Sequence, residues 1–145
     1  MPTDTDAESL LVVLLDTSAA IALLIEDHDA HAPTLDAIRG RRLGLAGHAW
    51  FETYSVLTRL PAPLRRSPAD AGRLLAHDFP ATGFLNEAVA AGLGPEFARL
   101  GISGGAVYDA LVGAAARQHG RPLVTGDVRA KPVYEALGVR IEIVS

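Results

Sequence analysis

Residues 10–24 read LLVVLLDTSAAIALL, and the fold follows from how this stretch is parsed. An unbroken apolar run from Leu10 to Leu15 meets one carboxylate, Asp16, then two hydroxyls, Thr17 and Ser18, and continues as an apolar segment at helical spacing. The pattern predicts strand, turn, helix. A run of about six Leu and Val residues suits a strand buried on both faces, the kind found in a parallel sheet covered by helices. Asp16 falls where strand passes into helix. Ligands of open α/β sheets bind beyond the carboxyl ends of the strands, so this acid is a site candidate. Asp is also a favoured helix N-cap, and the two readings coexist.

Working outward, 145 residues suffice for one domain with a real core. Residues 10–145 are expected to form that domain, and residues 1–9, MPTDTDAES, a loose polar tail. The composition is globular, 49% hydrophobic and 21% charged, with a formal charge of −4. That charge argues against a nucleic-acid partner unless several acids share a metal site that neutralises them locally. The chain has no Cys, which excludes disulfides, thiolate zinc sites and cysteine nucleophiles. Asp4, Asp6 and Glu8 ahead of the apolar run have the wrong sign for a secretion signal, and Asp16 interrupts the one candidate span. A soluble, cytoplasmic protein without a membrane partner is expected.

Further along, Asp29 is expected to cap a helix reaching Gly40, and Leu43–Ala46 to form a second strand. A helix from His48 to Leu60 carries an apolar stripe of Ala49, Trp50, Thr53, Leu57 and Leu60, with Glu52 on a neighbouring face. Ser67-Pro68-Ala69-Asp70 is a helix start, and residues 79–102 are broken by glycines that obscure the element boundaries. A helix over AVYDALVGAAARQHG is expected to bury Val107, Tyr108, Leu111, Ala114 and Ala115, with Asp109 among small residues that let another element approach. Pro122–Thr125 reads as a short buried strand, Asp127 stands just past it, and VRIEIV closes the chain as an edge strand. The sum is a three-layer α/β/α domain around a central parallel sheet.

Four acids stand out: Asp16 and Asp127 at strand ends, Glu52 and Asp109 inside helices. One site explains all of them. Carboxylates gathered closely raise one another's pKa unless a proton or a cation resolves the repulsion. Oxygen donors without Cys or a His pair favour a hard ion, Mg²⁺ or Mn²⁺, and such an ion activates water and stabilises a pentacovalent phosphate. The implied reaction is phosphodiester hydrolysis.

Through LLDTSAAIALL, FETYSVLTRL, GGAVYDALVGAAARQHG and PLVTGDVRAKPVYEALGVRI, the chain resembles the PIN-domain endoribonucleases, and among them the VapC-type toxins of toxin–antitoxin pairs. The resemblance implies a toxin that cleaves structured RNA, such as tRNA or rRNA, with Mg²⁺ or Mn²⁺ and so inhibits translation and growth. It maps the acidic site onto Asp16, Glu52, Asp109 and Asp127, with Asp16 and Asp109 as direct ligands and Ser18 and Thr125 as nearby hydroxyls. Arg129 and Lys131 are candidates for substrate phosphates. It also implies a homodimer silenced by a VapB-type antitoxin in a heterotetramer or larger assembly. Gly126 departs from the pattern, since larger polar residues are common there.

Arg39, Arg41, Arg42, Arg65, Arg66 and Arg73 form a second group of candidate phosphate contacts. With few aromatics in the chain, recognition of RNA by shape is expected over reading of single-stranded bases. Two phosphotransfer folds also place an Asp after the first strand. The haloacid dehalogenase type needs a second Asp where Ser18 stands, and a receiver domain needs adjacent acids and a late Lys that are not visible. The remaining alternative is a catalytically weak binding module that acts through an antitoxin and DNA repressor complex.

Overall fold

A computed structural model describes residues 11–144, and the tail expected over residues 1–9 lies outside this range. Strand β1 (Val12–Leu15) leads through helices α1 (Thr17–Leu24) and α2 (His31–Ile38) to β2 (Arg42–Leu45). Five helices follow: α3 (His48–Arg59), α4 (Pro68–Asp78), α5 (Glu87–Ala91), α6 (Leu93–Leu100) and α7 (Ala106–Gln118). The chain then returns as β3 (Leu123–Thr125), passes a short 3₁₀ turn and α8 (Lys131–Ala136), and ends on β4 (Ile141–Ile143).

All pairings are parallel and the strand order is β2-β1-β3-β4, with Leu15 level with both Leu45 and Val124. After β2 the chain crosses to the opposite side of β1. The carboxyl end of β1 is therefore the switch point of the sheet, where crevices open in this architecture. Asp16 is the next residue.

The unbroken apolar run of β1 is explained by burial on both faces. Leu14 joins one core with Ala110, Ala115, Ala116, Leu123 and Tyr134, while Val13 and Leu15 join another with Ala19, Ala20, Leu57, Leu75 and Val124. Helices α7 and α8 cover the first face, α1 and α4 the second, which gives the three layers.

Several expectations are revised. Asp29 does not cap α2: Ala30 holds the cap position without a side-chain bond, and its N–H donates instead to His28 Nδ1 at 3.0 Å. On α7 the buried face is Ala110, Val112, Gly113, Ala114, Ala115 and Ala116, whereas Tyr108 is 54% exposed. Small side chains won the interior there because the sheet and α8 approach closely. The closing strand spans only Ile141–Ile143, although it is an edge strand. The ambiguous glycine-rich region resolves into α5 and α6, with Asn86 capping Val89 N–H and Gly101 ending α6 in the left-handed conformation. Ser67 caps α4 by accepting from Asp70 N–H, with Pro68 at the first position, as its sequence signature required.

The outer edge of β2 is covered by residues 81–83, through Ala81 N–H to Leu43 O at 2.9 Å and Gly83 N–H to Leu45 O at 3.1 Å. This is possible only because Gly44 lacks a side chain: a Cβ there would lie 2.2 Å from the Ala81 carbonyl oxygen. Backbone cannot rotate away as a side chain can. Gly44→Ala is predicted to destabilise the fold by about 1–3 kcal/mol or more, read as a lower midpoint in urea unfolding.

Candidate active site

Asp16 begins as a local consequence of the strand-to-helix turn. Its extended backbone makes it the N-cap of α1, and Oδ1 accepts from Ala19 N–H at 3.0 Å. Three hydroxyls complete its shell. Ser18 Oγ donates to Oδ1 at 2.6 Å, while Thr125 Oγ1 and, at 3.0 Å, Tyr134 Oη donate to Oδ2. A carboxylate offers about four lone-pair directions, and here four donors meet them. Burial raises the Asp16 pKa, and the four hydrogen bonds pull against that rise by favouring the charged form.

Three other acids share the pocket of about 200 Å³ that opens in front of Asp16: Glu52, Asp109 and Asp127, together with Thr17, Ser18, Val112, Arg129 and Tyr134. Glu52 arrives from mid-α3, on the face beside the buried stripe of Ala49, Thr53 and Leu57. Its pKa is raised by burial and by the charges of Asp109 and Asp16, against the pull of His48, whose Nε2 lies 4.0 Å away. Asp109 projects from the first turn of α7, and its pKa is raised by burial and by the charges of Asp127 and Asp16, with Arg129 opposing. Asp127 caps the 3₁₀ turn after β3, its Oδ1 accepting from Arg129 N–H at 3.0 Å.

The structure thus brings together all four acids predicted from the sequence, with Ser18 and Arg129. It separates the other two predicted contacts. Thr125 is fully buried behind Asp16, where its hydroxyl serves Asp16 and accepts from Asp127 N–H at 3.0 Å, so it positions acids and does not face a substrate. Lys131 turns along α8 toward Glu135 at 3.7 Å and does not line the pocket. Ser18 Oγ also accepts from Gly126 N–H at 2.9 Å, which ties α1 to the loop after β3. Of the mid-chain arginines, Arg39 pairs with Asp36, Arg41 with Glu142 and Arg73 with Asp70, and Arg65 donates to Leu60 O.

Sequence reasoning missed Tyr134. In KPVYEAL it reads as one more residue on the buried face of a short helix, and the only signal is that a buried phenol needs a hydrogen-bond partner. Its pKa is pushed far up, by burial and by the neighbouring Asp16, so the phenol keeps its proton and donates. Gly113 makes room for it: a Cβ at that position would stand 3.0 Å from Tyr134 Cδ1 and 3.2 Å from Leu137 Cδ1.

The donor chemistry suits a hard divalent cation. All available atoms are oxygens, three of the four acids are held above their ordinary range, and Thr17 Oγ1 is buried facing Glu52 without completing a hydrogen bond. Among the described residues, however, no three acidic or histidine side chains converge tightly enough to form a finished cage. The pocket holds the right donors in an open arrangement.

A parallel sheet with acids at its switch point and on two facing helices defines a family. The PIN domain model matches residues 13–136, and the chain belongs to that family. It is 48% identical over 129 residues to Ribonuclease VapC27 of Mycobacterium tuberculosis (strain ATCC 25618 / H37Rv), covering 89% of this chain and 94% of that protein. It is 40% identical over 132 residues to Ribonuclease VapC40 of the CDC 1551 / Oshkosh strain, covering 90% and 97% respectively. No helix among the described residues is long and apolar enough to cross a membrane.

Two outcomes follow from the electrostatics. An acid whose folded pKa is raised binds more protons folded than unfolded, so its contribution to stability is greatest at low pH and is lost as pH rises through the folded value. In chelator, Asp109→Asn is therefore predicted to melt higher than the parent at neutral pH, with the gap closing toward acid, as thermal melts across about pH 4 to 8 would show. Tyr134→Phe removes a donor from a buried charge and is predicted to cost about 1.5–3 kcal/mol in denaturant titration at neutral pH.

Proposed function

We propose that this protein is a metal-dependent endoribonuclease, the toxin of a toxin–antitoxin pair, that hydrolyses phosphodiester bonds in structured RNA. The observation that carries the reading is the gathering of Asp16, Glu52, Asp109 and Asp127 from four separate elements into one pocket where their charges oppose one another. Such an arrangement costs stability, and a site for a divalent cation accounts for it. Similarity over about nine-tenths of the chain to proteins named ribonucleases points the same way. Targets of the tRNA or rRNA class, and inhibition of translation and growth, belong to the same reading.

In this reading Asp109 holds Mg²⁺ or Mn²⁺ together with Asp16, where the cation would displace one of the hydroxyl donors from the carboxylate, and Glu52 and Asp127 complete the site. When bound, the cation lowers the pKa of water and offsets the charge that develops on phosphorus-bound oxygen. Glu52, already inclined to take up a proton, receives one from the attacking water as the phosphorus–oxygen bond forms and the bond to the leaving oxygen breaks. Arg129, 92% exposed in its side chain at the pocket mouth, meets the substrate phosphate. Asp16 fixes the geometry, held by donors that pin both of its oxygens.

A homodimer and a VapB-type antitoxin are the proposed partners, in a heterotetramer or larger assembly formed in the cytoplasm. Support for a second copy comes from one surface. Phe51, Phe84 and Tyr108 are each about half exposed, and their rings join through His48, with Tyr108 stacked on it at 5.4 Å and Phe51 meeting Phe84 at 5.9 Å. Contiguous exposed aromatics of this kind mark association surfaces.

Purified protein freed of partners should cut total RNA into discrete fragments with Mg²⁺ or Mn²⁺, and cutting should stop in chelator. Asp109→Asn should reduce cleavage by about ten- to a hundredfold while the fold persists, and Asp16→Asn should reduce it at least as much with a lower melting temperature, because an amide nitrogen there meets hydroxyl donors. A folded wild type that cuts nothing under any metal, yet binds an antitoxin, would replace the nuclease with a binding module.

A further inference from the structure

The two acids carried by helices are joined outside the pocket as well as inside it. His48 opens α3, and its ring stacks on Tyr108 of α7 with centroids 5.4 Å apart and planes at 24°. The same His48 turns Nε2 toward Glu52 Oε1, one helical turn along α3, at 4.0 Å. Tyr108 is followed directly by Asp109. The ring pair therefore bridges the two helices beside the carboxylates they carry. Neither ring fills the core, since Tyr108 is about half exposed and His48 partly so.

Beneath this bridge the helices offer little to hold an angle. Ala49 of α3 and Ala110 and Ala115 of α7 are fully buried in one core, and alanines have nothing beyond Cβ to interdigitate. The start of α3 is pressed against α7, where a Cβ on Gly47 would stand 2.9 Å from Ala115 Cβ. One such contact fixes a separation and leaves the angle between the helices free. Tyr108 and Ala115 lie on one face of α7 about two turns, or roughly 10 Å, apart, so the ring pair supplies a second fixed point. The Asp109 charge bears on Glu52 across this gap, and repulsion of like charges pushes the two helix faces apart.

The geometry points to His48 as a positioning residue: stacked on Tyr108, it clamps α3 to α7 so that Glu52 and Asp109 keep the spacing at which they share one divalent cation. The inference rests on the metal-dependent reading above. The flat face of the ring carries the role, because 4.0 Å is too long for a hydrogen bond from its nitrogen to Glu52. Another aromatic ring at position 48 preserves the clamp, and a short or flexible side chain releases it.

The test titrates Mn²⁺ into the full-length protein, freed of partners and without RNA, and reads the electron paramagnetic resonance signal of the free ion. His48→Ala and Tyr108→Ala should each weaken binding by about tenfold, and the double variant should lose no more than either alone, since both remove one contact. His48→Phe and Tyr108→Phe keep the stack and should bind as the parent does. His48→Gln keeps a polar group near Glu52 without the ring and should bind as weakly as His48→Ala. Phe84→Ala, on the same exposed aromatic surface but outside the stack, should leave the affinity unchanged, which separates the clamp from any effect of a second copy. Parental affinity in His48→Ala or Tyr108→Ala, an equal loss in His48→Phe, or a loss in Phe84→Ala would each overturn the inference while the metal site stands. A parent that binds no Mn²⁺ would refute the metal site itself, and the clamp with it.

Discussion

The constraint on which the rest depends is a single buried carboxylate. Asp16 is 4% exposed at the carboxyl end of the central strand, and four donors from four positions in the chain keep it there. Two are local, Ser18 and Ala19, and belong to the cap of α1. The other two, Thr125 and Tyr134, come from β3 and α8, and they can reach Asp16 only if β3 pairs with β1 and α8 packs down on α7. Fold and site are therefore one problem. The register that sets Leu15 beside Val124 also places the Thr125 hydroxyl at Asp16, and the missing side chain at Gly113 is what lets α8 bring the phenol within reach.

Much of this was legible because the signals were one-dimensional. A strand buried on both faces cannot alternate, so β1 announces a central parallel strand. An acid after such a strand, in a fold that opens crevices there, announces a site. Asp109 was visible for a different reason, as an acid among small residues on its helix, and Glu52 only because one site explains all four acids together. What stayed hidden depends on direction. Nothing in PLVTGD says that the Thr125 hydroxyl turns inward, and nothing in KPVYEAL separates a phenol that fills a core from one that holds a carboxylate. Tyr108 was misplaced because a large apolar side chain normally outranks alanine for the interior, whereas the close approach of α8 and the sheet reserved that face for Ala110, Ala114 and Gly113. The boundaries of α5 and α6 were unreadable, since helices of 5 and 8 residues separated by Gly92 leave too short a pattern to phase.

The acidic overall charge also has a structural answer. Many of the basic residues are engaged in the protein's own framework. Arg117 forks onto Glu96 at 2.7 and 2.9 Å and donates to Leu137 O at 3.0 Å, fastening α6, α7 and the end of α8 together, and Arg41 forks onto Glu142. Arg129 is different. Its guanidinium lies 3.4 Å from Asp127 and is otherwise open to solvent at the mouth of the acidic pocket. Arg129 is thus the basic side chain that faces solvent directly beside the acids.

The spacing of the Asp16 ligands along the chain imposes an order of events during synthesis. Thr125 and Tyr134 lie 109 and 118 residues beyond the acid they hold. A chain emerging from the ribosome presents Asp16 and Glu52 long before β3 and α8 exist to complete the pocket. Until then Asp16 has only its local cap bonds, and no partial product contains the assembled acids. The pocket is thus completed only once β3 and α8 have been made and packed, and no shorter segment of the chain carries it.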